Sequence, residues 1–508
     1  MRWWDDEGHR AWLALTWVCA AAVCWPLLHR FPVSIDFPEH AATVATLADL
    51  RGGGQLASWY SADFLHTQYW LAALLATALS PLAGGPAEAL RWFLALALAG
   101  QLLALRWLFG SLGVDRRLTL LAGVMVWSRP VTLGFIPFLL GAPLVLLGFG
   151  LVARATAPRW PNQVLLAAIA LCCFYLNLSN VLWLGVGATA VAWAAHGRRP
   201  GTQGLWSQLA LRPMVAALWG LGVLVVPLGQ WLVTSSVLHP DPTAFRKDFL
   251  PRFHPPWKVL ADAPEWLTDL WPGHLGLWLL GGWALLMLDL FLPRRAPGTA
   301  LPVARALVGA TALLWFAIPF EQGWLWGLNQ RFAPFLMMLL PAASGVRQHW
   351  SRRLIPLLGV ALTLASAALA ERQTSRYQNE MDDLETVLTG LTGARLLQLT
   401  FDHDSEVIRD SVSLHAGGYH RVWNHGPNQP SFVDTPQSVL HYLPAQKPWL
   451  RPWPWEFRPE HYDNLREGPQ YDVILVRGQG PSFPPPAEAG GPTWRPLRRA
   501  GVWTLYGR

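Results

Sequence analysis

The chain is expected to fold as a mainly α, multi-spanning transmembrane helical bundle with a small α/β region at its C-terminal end. Three observations lead there. Of its 508 residues, 52% are hydrophobic and only 14% charged, against about 25% charged in an ordinary soluble domain. The apolar residues fall in blocks of roughly 17–22, the length that crosses a bilayer as a helix. Beyond about residue 372 those blocks stop and short strand-like stretches take over. The alternation of a β-barrel is absent. The formal charge of +7 comes with arginines gathered in short loops, which suits membrane anchoring and gives no reason to expect a nucleic-acid partner.

The N-terminal run MRWWDDEGHR leads into an apolar stretch, 11–30, without an A-x-A cleavage site, so the first helix is read as retained. A loop at 31–68 follows. The segment 69–85 is apolar but short, closed by Pro81 and two glycines, and is read as a juxtamembrane or re-entrant helix. Further spans are expected at 88–108, 117–129, 133–153, 163–178, 180–196, 213–235, 274–293, 303–319, 329–345 and 354–371, about eleven passes in all. Arg116 and Arg117, Arg154 and Arg159, Arg198, Arg199 and Arg212, Arg294, Arg295 and Arg305, and Arg347, Arg352 and Arg353 mark alternate loops. The positive-inside rule puts them, with the N-terminus, on the cytoplasmic side and the C-terminal region outside. The four cysteines, Cys19, Cys24, Cys172 and Cys173, all lie in apolar segments, where free thiols act as small hydrophobes.

The chain therefore divides into a membrane part, 1–372, and an extracytoplasmic domain, 373–508. In the latter, 379–388 reads as a short helix and 394–400, 471–477 and 502–506 as strands. On the same outer side, 236–273 mixes Trp, Pro, Arg and acids. It is either a plain interfacial loop or a mobile lid over a lipid-linked substrate.

Chemistry concentrates in the first outer loop, which opens with Asp36, Glu39 and His40, the Asp bracketed by Pro32 and Pro38. Pro32 and Pro38 disfavour helix before each of them, and from Glu39 a helical pattern runs to the stop at Gly52–Gly53–Gly54. A carboxylate at that turn can act as general base for a hydroxyl. With Glu39 it can hold a divalent cation, Mg²⁺ or Mn²⁺, through oxygen ligands. The structural alternative is that these acids only favour a helix N-terminus. Asp63 and His66 end the same loop. Arg331, where an outer loop becomes a span, can grip a phosphate bidentately or snorkel to the headgroups. HAGGYHRVWNHG (415–426), with His420 at its centre, can border a site from above. The C-terminal histidines match no standard metal spacing, and neither a P-loop nor a dinucleotide fingerprint occurs.

The order of first helix, acidic outer loop (I-D-F-P-E-H, 35–40), juxtamembrane helix and span with an early arginine (69–93, with Arg91), many-span bundle and external C-terminal region resembles the GT-C glycosyltransferases. These are polyprenyl-phosphate-sugar-dependent membrane enzymes such as protein mannosyltransferases and lipid A aminoarabinose transferases. YDVILVR and VWTLYGR are similar to tails of bacterial members. The motif differs in that Asp36 is followed by Phe-Pro-Glu rather than by a second acid. The resemblance implies transfer of a sugar, with inversion, at the outer face of the cytoplasmic membrane. The donor would be lipid-linked and the acceptor an envelope lipid, glycan or protein. It implies Asp36 as base, and Arg331 or the pair Arg246 and Lys247 as stabiliser of the leaving phosphate. A transporter or lipid flippase, which should show internal repeats, and a non-enzymatic scaffold are the competing classes.

Overall fold

The computed structural model describes residues 7–65, 67–155, 159–196, 211–234, 250–268, 273–291, 301–322, 325–344, 351–449, 455–480, 483–485 and 491–508. The helices are α1 (Glu7–Cys24), α2 (Phe37–Gly52), α3 (Leu71–Ala83), α4 (Pro86–Ser111), α5 (Arg129–Leu133), α6 (Ile136–Arg154), α7 (Trp160–Leu176), α8 (Leu178–His196), α9 (Leu211–Leu218), α10 (Val225–Thr234), α11 (Pro256–Leu267), α12 (Leu275–Phe291), α13 (Leu301–Ala317), α14 (Phe332–Leu339), α15 (Ser351–Leu388) and α16 (Gly418–Asn424). Among the described residues, six apolar helical stretches are long enough to cross a membrane by length and composition, and four apolar helices are shorter. The protein is a multi-pass bundle.

Its path can be followed from the end that holds the main cavity. Helix α4 starts there, with Leu90 on the cavity wall, and its 26 residues carry it about 39 Å away. Helix α6 also starts at the cavity, and ends at Arg154, whose guanidinium lies 4.9 Å over the Trp107 ring near the end of α4. The chain between them must therefore cross back. It does so through 116–128, expected from sequence as a helical span, as two 3-10 turns, Arg116–Leu121 and Gly123–Met125. At about 2.0 Å per residue such a path covers about 26 Å. Every residue from Leu118 to Ser128 is buried, as non-helical backbone at membrane depth must be. Close packing goes with the departure from helix: a Cβ on Gly123 would strike Thr363 of α15, and one on Gly359 would strike the Leu120 backbone. The pass at 329–343 is similarly mixed, a 3-10 turn, α14 and another 3-10 turn. Six long helices, three of the shorter ones and these two irregular segments correspond to the eleven stretches read as spans from sequence. The remaining short helix, α3, has Ala72 and Ala73 of its first turn on the cavity wall and is joined through Gly84 and Gly85 to the start of α4.

Helix α15 departs from the expected boundary at 372/373. Its 38 residues reach about 57 Å, well beyond the roughly 30 Å of a hydrocarbon core. The stretch 379–388 is its last turns rather than a separate helix. Glu371 and Arg372 change the solvent but carry no helix-breaking chemistry, and the first breaker is Gly390 at φ +76°. The exit of α1 is laced to this rod by His29 Nε2 to Glu371 (2.7 Å), by an Arg30–Glu385 ion pair and by Gln378, which bonds both the N–H and the C=O of Phe31.

The strands are β1 (Tyr60–Ala62), β2 (Glu321–Gln322), β3 (Leu325–Trp326), β4 (Leu396–Thr400), β5 (Asn428–Gln429), β6 (Leu440–Tyr442), β7 (Val473–Arg477), β8 (Arg495–Ala500) and β9 (Trp503–Gly507). A five-stranded sheet has the order β5-β4-β7-β9-β8, parallel across β5, β4 and β7 and antiparallel thereafter. Its strands β4, β7 and β9 match the three stretches expected from sequence. The first outer loop joins the C-terminal region directly, because β1 pairs antiparallel with β6, Tyr60 opposite Tyr442. One continuous core holds residues of both parts, among them Phe37, Leu94, Ala416, Tyr419 and Leu505.

Candidate active site

A cavity of about 580 Å³ lies between the bundle and the C-terminal region, within the range of small-molecule sites. Asp36 is on its wall. Helix α2 has Pro at its second position, which removes one of the N–H groups a capping side chain would serve. Asp36 itself has αR backbone angles (φ −88°, ψ −5°) and makes no side-chain cap. The Asp36 carboxylate is therefore not spent on an N-cap hydrogen bond, and it lies on the cavity wall. Its backbone is pinned by Ile35 N to Thr132 O (2.7 Å) and Asp36 N to Leu133 O (3.3 Å). Gly134 makes this approach possible. It sits at φ +85°, and a Cβ there would lie 2.8 Å from the Asp36 Cβ.

The carboxylate meets His415, the first residue of the segment 415–426 expected from sequence to border a site. His415 Nδ1 lies 3.0 Å from Asp36 Oδ1, and Nε2 lies 3.7 Å from Glu456 Oε1. The His415 side chain is 7% exposed and Asp36 22%. Burial pulls the imidazole towards neutrality, but the hydrogen bonds and charges of Asp36 and Glu456 outweigh it and raise its pKa to about 10. His415 is thus an imidazolium between two carboxylates. His40 lines the same cavity, and there desolvation wins, holding its pKa below the ordinary value against the pull of Asp36. The Phe432 ring stands edge-on to both histidines, 5.2 Å from His415 and 5.8 Å from His40.

Arg331 lines the same cavity. It is 5% exposed, its guanidinium lies 4.1 Å over the Phe135 ring, and Nη1 has only long contacts of 3.4 Å to Asn177 Oδ1 and Ser179 Oγ. Nε has no hydrogen-bond partner among the described residues. Its hydrogen bonds go to neutral groups and Asp36 acts on it only through its charge, so the buried guanidinium keeps donors with which to receive an anion. A second arginine, Arg129 on α5, is by contrast already neutralised. It pairs with Glu265 of α11 and lies 3.0 Å from Asp410 Oδ1.

The other residues singled out from sequence are placed differently. Glu39 is turned away from the cavity and fully buried. It pairs with Arg421 of α16, accepts Asn428 Nδ2 at 2.9 Å, and accepts the Phe432 N–H at 3.0 Å. Its two oxygens are committed to holding the C-terminal region. Glu39 therefore shares no ion with Asp36, and the pair expected to bind Mg²⁺ or Mn²⁺ is not formed. Glu456 and Asp36 stand on opposite nitrogens of the His415 ring, so the ring separates them. Among the described residues no group of three or more metal-ligating side chains stands together. His420 does not reach the cavity either. Its Nε2 donates to Ala394 O (2.7 Å), Asn424 donates to its Nδ1 (3.2 Å), and burial lowers its pKa to about 4. Asp63 accepts the Leu65 N–H within its own turn. His66, Arg246, Lys247 and much of 236–273 lie outside the described residues. The described part of that loop includes α11, whose Trp266 is buried and Trp257 exposed.

No protein-family model matches the chain, and no curated protein matches it. Among solved structures it is similar to ArnT from Cupriavidus metallidurans bound to undecaprenyl phosphate, with 13% identity, 98% of each chain covered and a TM-score of 0.49. The apo state of the same protein gives 12% identity, the same coverage and a TM-score of 0.49. The arabinofuranosyltransferase AftD from Mycobacteria gives 16% identity over 98% of this chain and 40% of that chain, with a TM-score of 0.48.

Proposed function

We propose that the protein is a membrane glycosyltransferase. It would move a sugar from a polyprenyl-phosphate donor to a hydroxyl of an envelope acceptor (lipid, glycan or protein) at the outer face of the cytoplasmic membrane. The observation that carries this reading is one cavity, at the end of a bundle of spans, lined both by a carboxylate free of capping duty and by a buried arginine that makes no salt bridge among the described residues. A lipid phosphate keeps its tail among the apolar walls and offers its oxygens to Arg331. The acceptor oxygen attacks the anomeric carbon from the Asp36 side and inverts it. Its proton goes to the Asp36 carboxylate, and the bond from the anomeric carbon to the phosphate oxygen breaks with its electron pair staying on the phosphate. The products are the glycoside, the free lipid phosphate and a protonated Asp36 that returns its proton to solvent. The leaving phosphate is already an anion, so it needs charge stabilisation more than protonation, and the Arg331 guanidinium supplies that.

The test is turnover of a panel of polyprenyl-phosphate sugars by purified, monodisperse protein. Asp36→Asn keeps the size of the side chain and removes its basicity, and a lost general base costs roughly 10²–10⁴-fold in rate. A wild-type protein that transfers no sugar from any donor, or an Asp36→Asn variant with full turnover, refutes the reading.

A further inference from the structure

We propose that His415 is a positioning residue for the transfer. It engages one oxygen of Asp36, so that the other is aimed at the cavity as the proton acceptor. The inference rests on the transferase reading above and adds to it a role carried by the far end of the chain.

A carboxylate whose cap function is absent has only its rotamers to decide where it points. A misplacement of about 1 Å at a reacting group can cost on the order of 100-fold. The contact that settles the Asp36 rotamer is His415 Nδ1 at 3.0 Å from Oδ1. The imidazole is fixed in turn. Glu456 stands 3.7 Å from its other nitrogen, and the Phe432 ring packs edge-on against it at 5.2 Å. Its backbone is equally held. Gln398 on β4 donates to Ser413 O at 2.8 Å and accepts the Gly417 N–H, gripping the turn on both sides of His415. His415 O then accepts the Gly418 N–H at 2.9 Å, where α16 begins. Gly418 lets that helix press on α2, since a Cβ there would lie 2.7 Å from the Pro38 carbonyl carbon. The reacting carboxylate is thus held by a side chain 379 residues away, itself supported on each side, as preorganised sites require.

The experiment compares wild type, His415→Ala and His415→Gln at matched expression and monodispersity, with the donor that the wild type turns over. His415→Ala should lower kcat 10- to 100-fold and leave the donor KM within about threefold. Added imidazole should restore at least a third of the lost rate. His415→Gln, which retains a donor near Asp36, should fall between the two. A merely structural role would reduce the amount of monodisperse protein and ignore imidazole. Wild-type transfer with unchanged kcat in His415→Ala, or a loss that imidazole does not repair in a protein that stays monodisperse, overturns this role alone. A wild type that transfers nothing overturns the transferase reading and this role with it.

Discussion

Replacing Glu39 by Gln should damage the fold before it damages the chemistry. Glu39 and Arg421 are both fully excluded from solvent, and Glu39 also accepts from Asn428 and from the Phe432 backbone. Glutamine keeps one acceptor oxygen. Its NH₂ must face either the Arg421 and Phe432 donors or the Asn428 amide, so at least one donor is set against another. Removing one partner of a buried pair typically costs about 3–5 kcal/mol, because the remaining charge is left uncompensated. That loss falls on the contact between α2 and α16 and on the Phe432 wall, so the C-terminal region should loosen first. The assay is thermal unfolding in detergent together with limited proteolysis of 389–508. A midpoint lowered by several degrees and faster cleavage are expected, and the residual activity should track the folded fraction. Arg421→Ala should behave alike, and the double variant should be less destabilised than the sum of the two singles. Glu39→Gln protein with wild-type stability but lost turnover would refute this reasoning and return Glu39 to the reacting centre.

Arg331→Lys keeps a positive charge but loses the planar fork. With about 1.5–3 kcal/mol for a charge-assisted hydrogen bond, the KM for the lipid-phosphate donor should rise roughly 10- to 100-fold with little change in melting temperature, as steady-state kinetics would show. Gly134→Ala forces a side chain into the left-handed region, at roughly 1–2 kcal/mol, and drives its Cβ against Asp36. It should cut turnover more sharply than it lowers the unfolding midpoint. The His415 pKa is raised from 6.5 to about 10 in the folded chain, so its contribution to stability is full below pH 6.5 and lost as pH rises through 10. The gap in unfolding midpoint between wild type and His415→Gln, followed by thermal scans across that window, should close with rising pH.

Much of the architecture was legible because it follows from local patterns. Apolar block length marked the apolar helices, and short apolar stretches between Pro- and Gly-rich loops marked β4, β7 and β9. The irregular pass at 116–128 was not, since its departure from helix goes with how closely α15 packs against it. The site was half legible. Asp36 stood out as an acid at the exit of the first helix, and Arg331 as an arginine at the mouth of a span. Glu39 looks equivalent to Asp36 in sequence. What separates them is Arg421, 382 residues away, which draws one carboxylate into the core and leaves the other to the cavity. His415 and His420 belong to one short segment, and only the seating of α16 on α2 decides which faces Asp36. The signal that was present is the pair of glycines at 417 and 418, small enough to let that seating happen. Glu456 was hidden in a Trp- and Pro-rich run that reads as an interfacial segment.

The contact between Asp36 and His415 also sets a schedule. A ribosome makes Asp36 379 residues before His415, so the aspartate waits through all of that synthesis without the group that orients it. The pairing of β1 with β6 must wait for the same late residues. A nascent chain therefore carries its spans well before it carries a finished site. The late contacts, made between segments far apart along the polypeptide, are the ones that complete it.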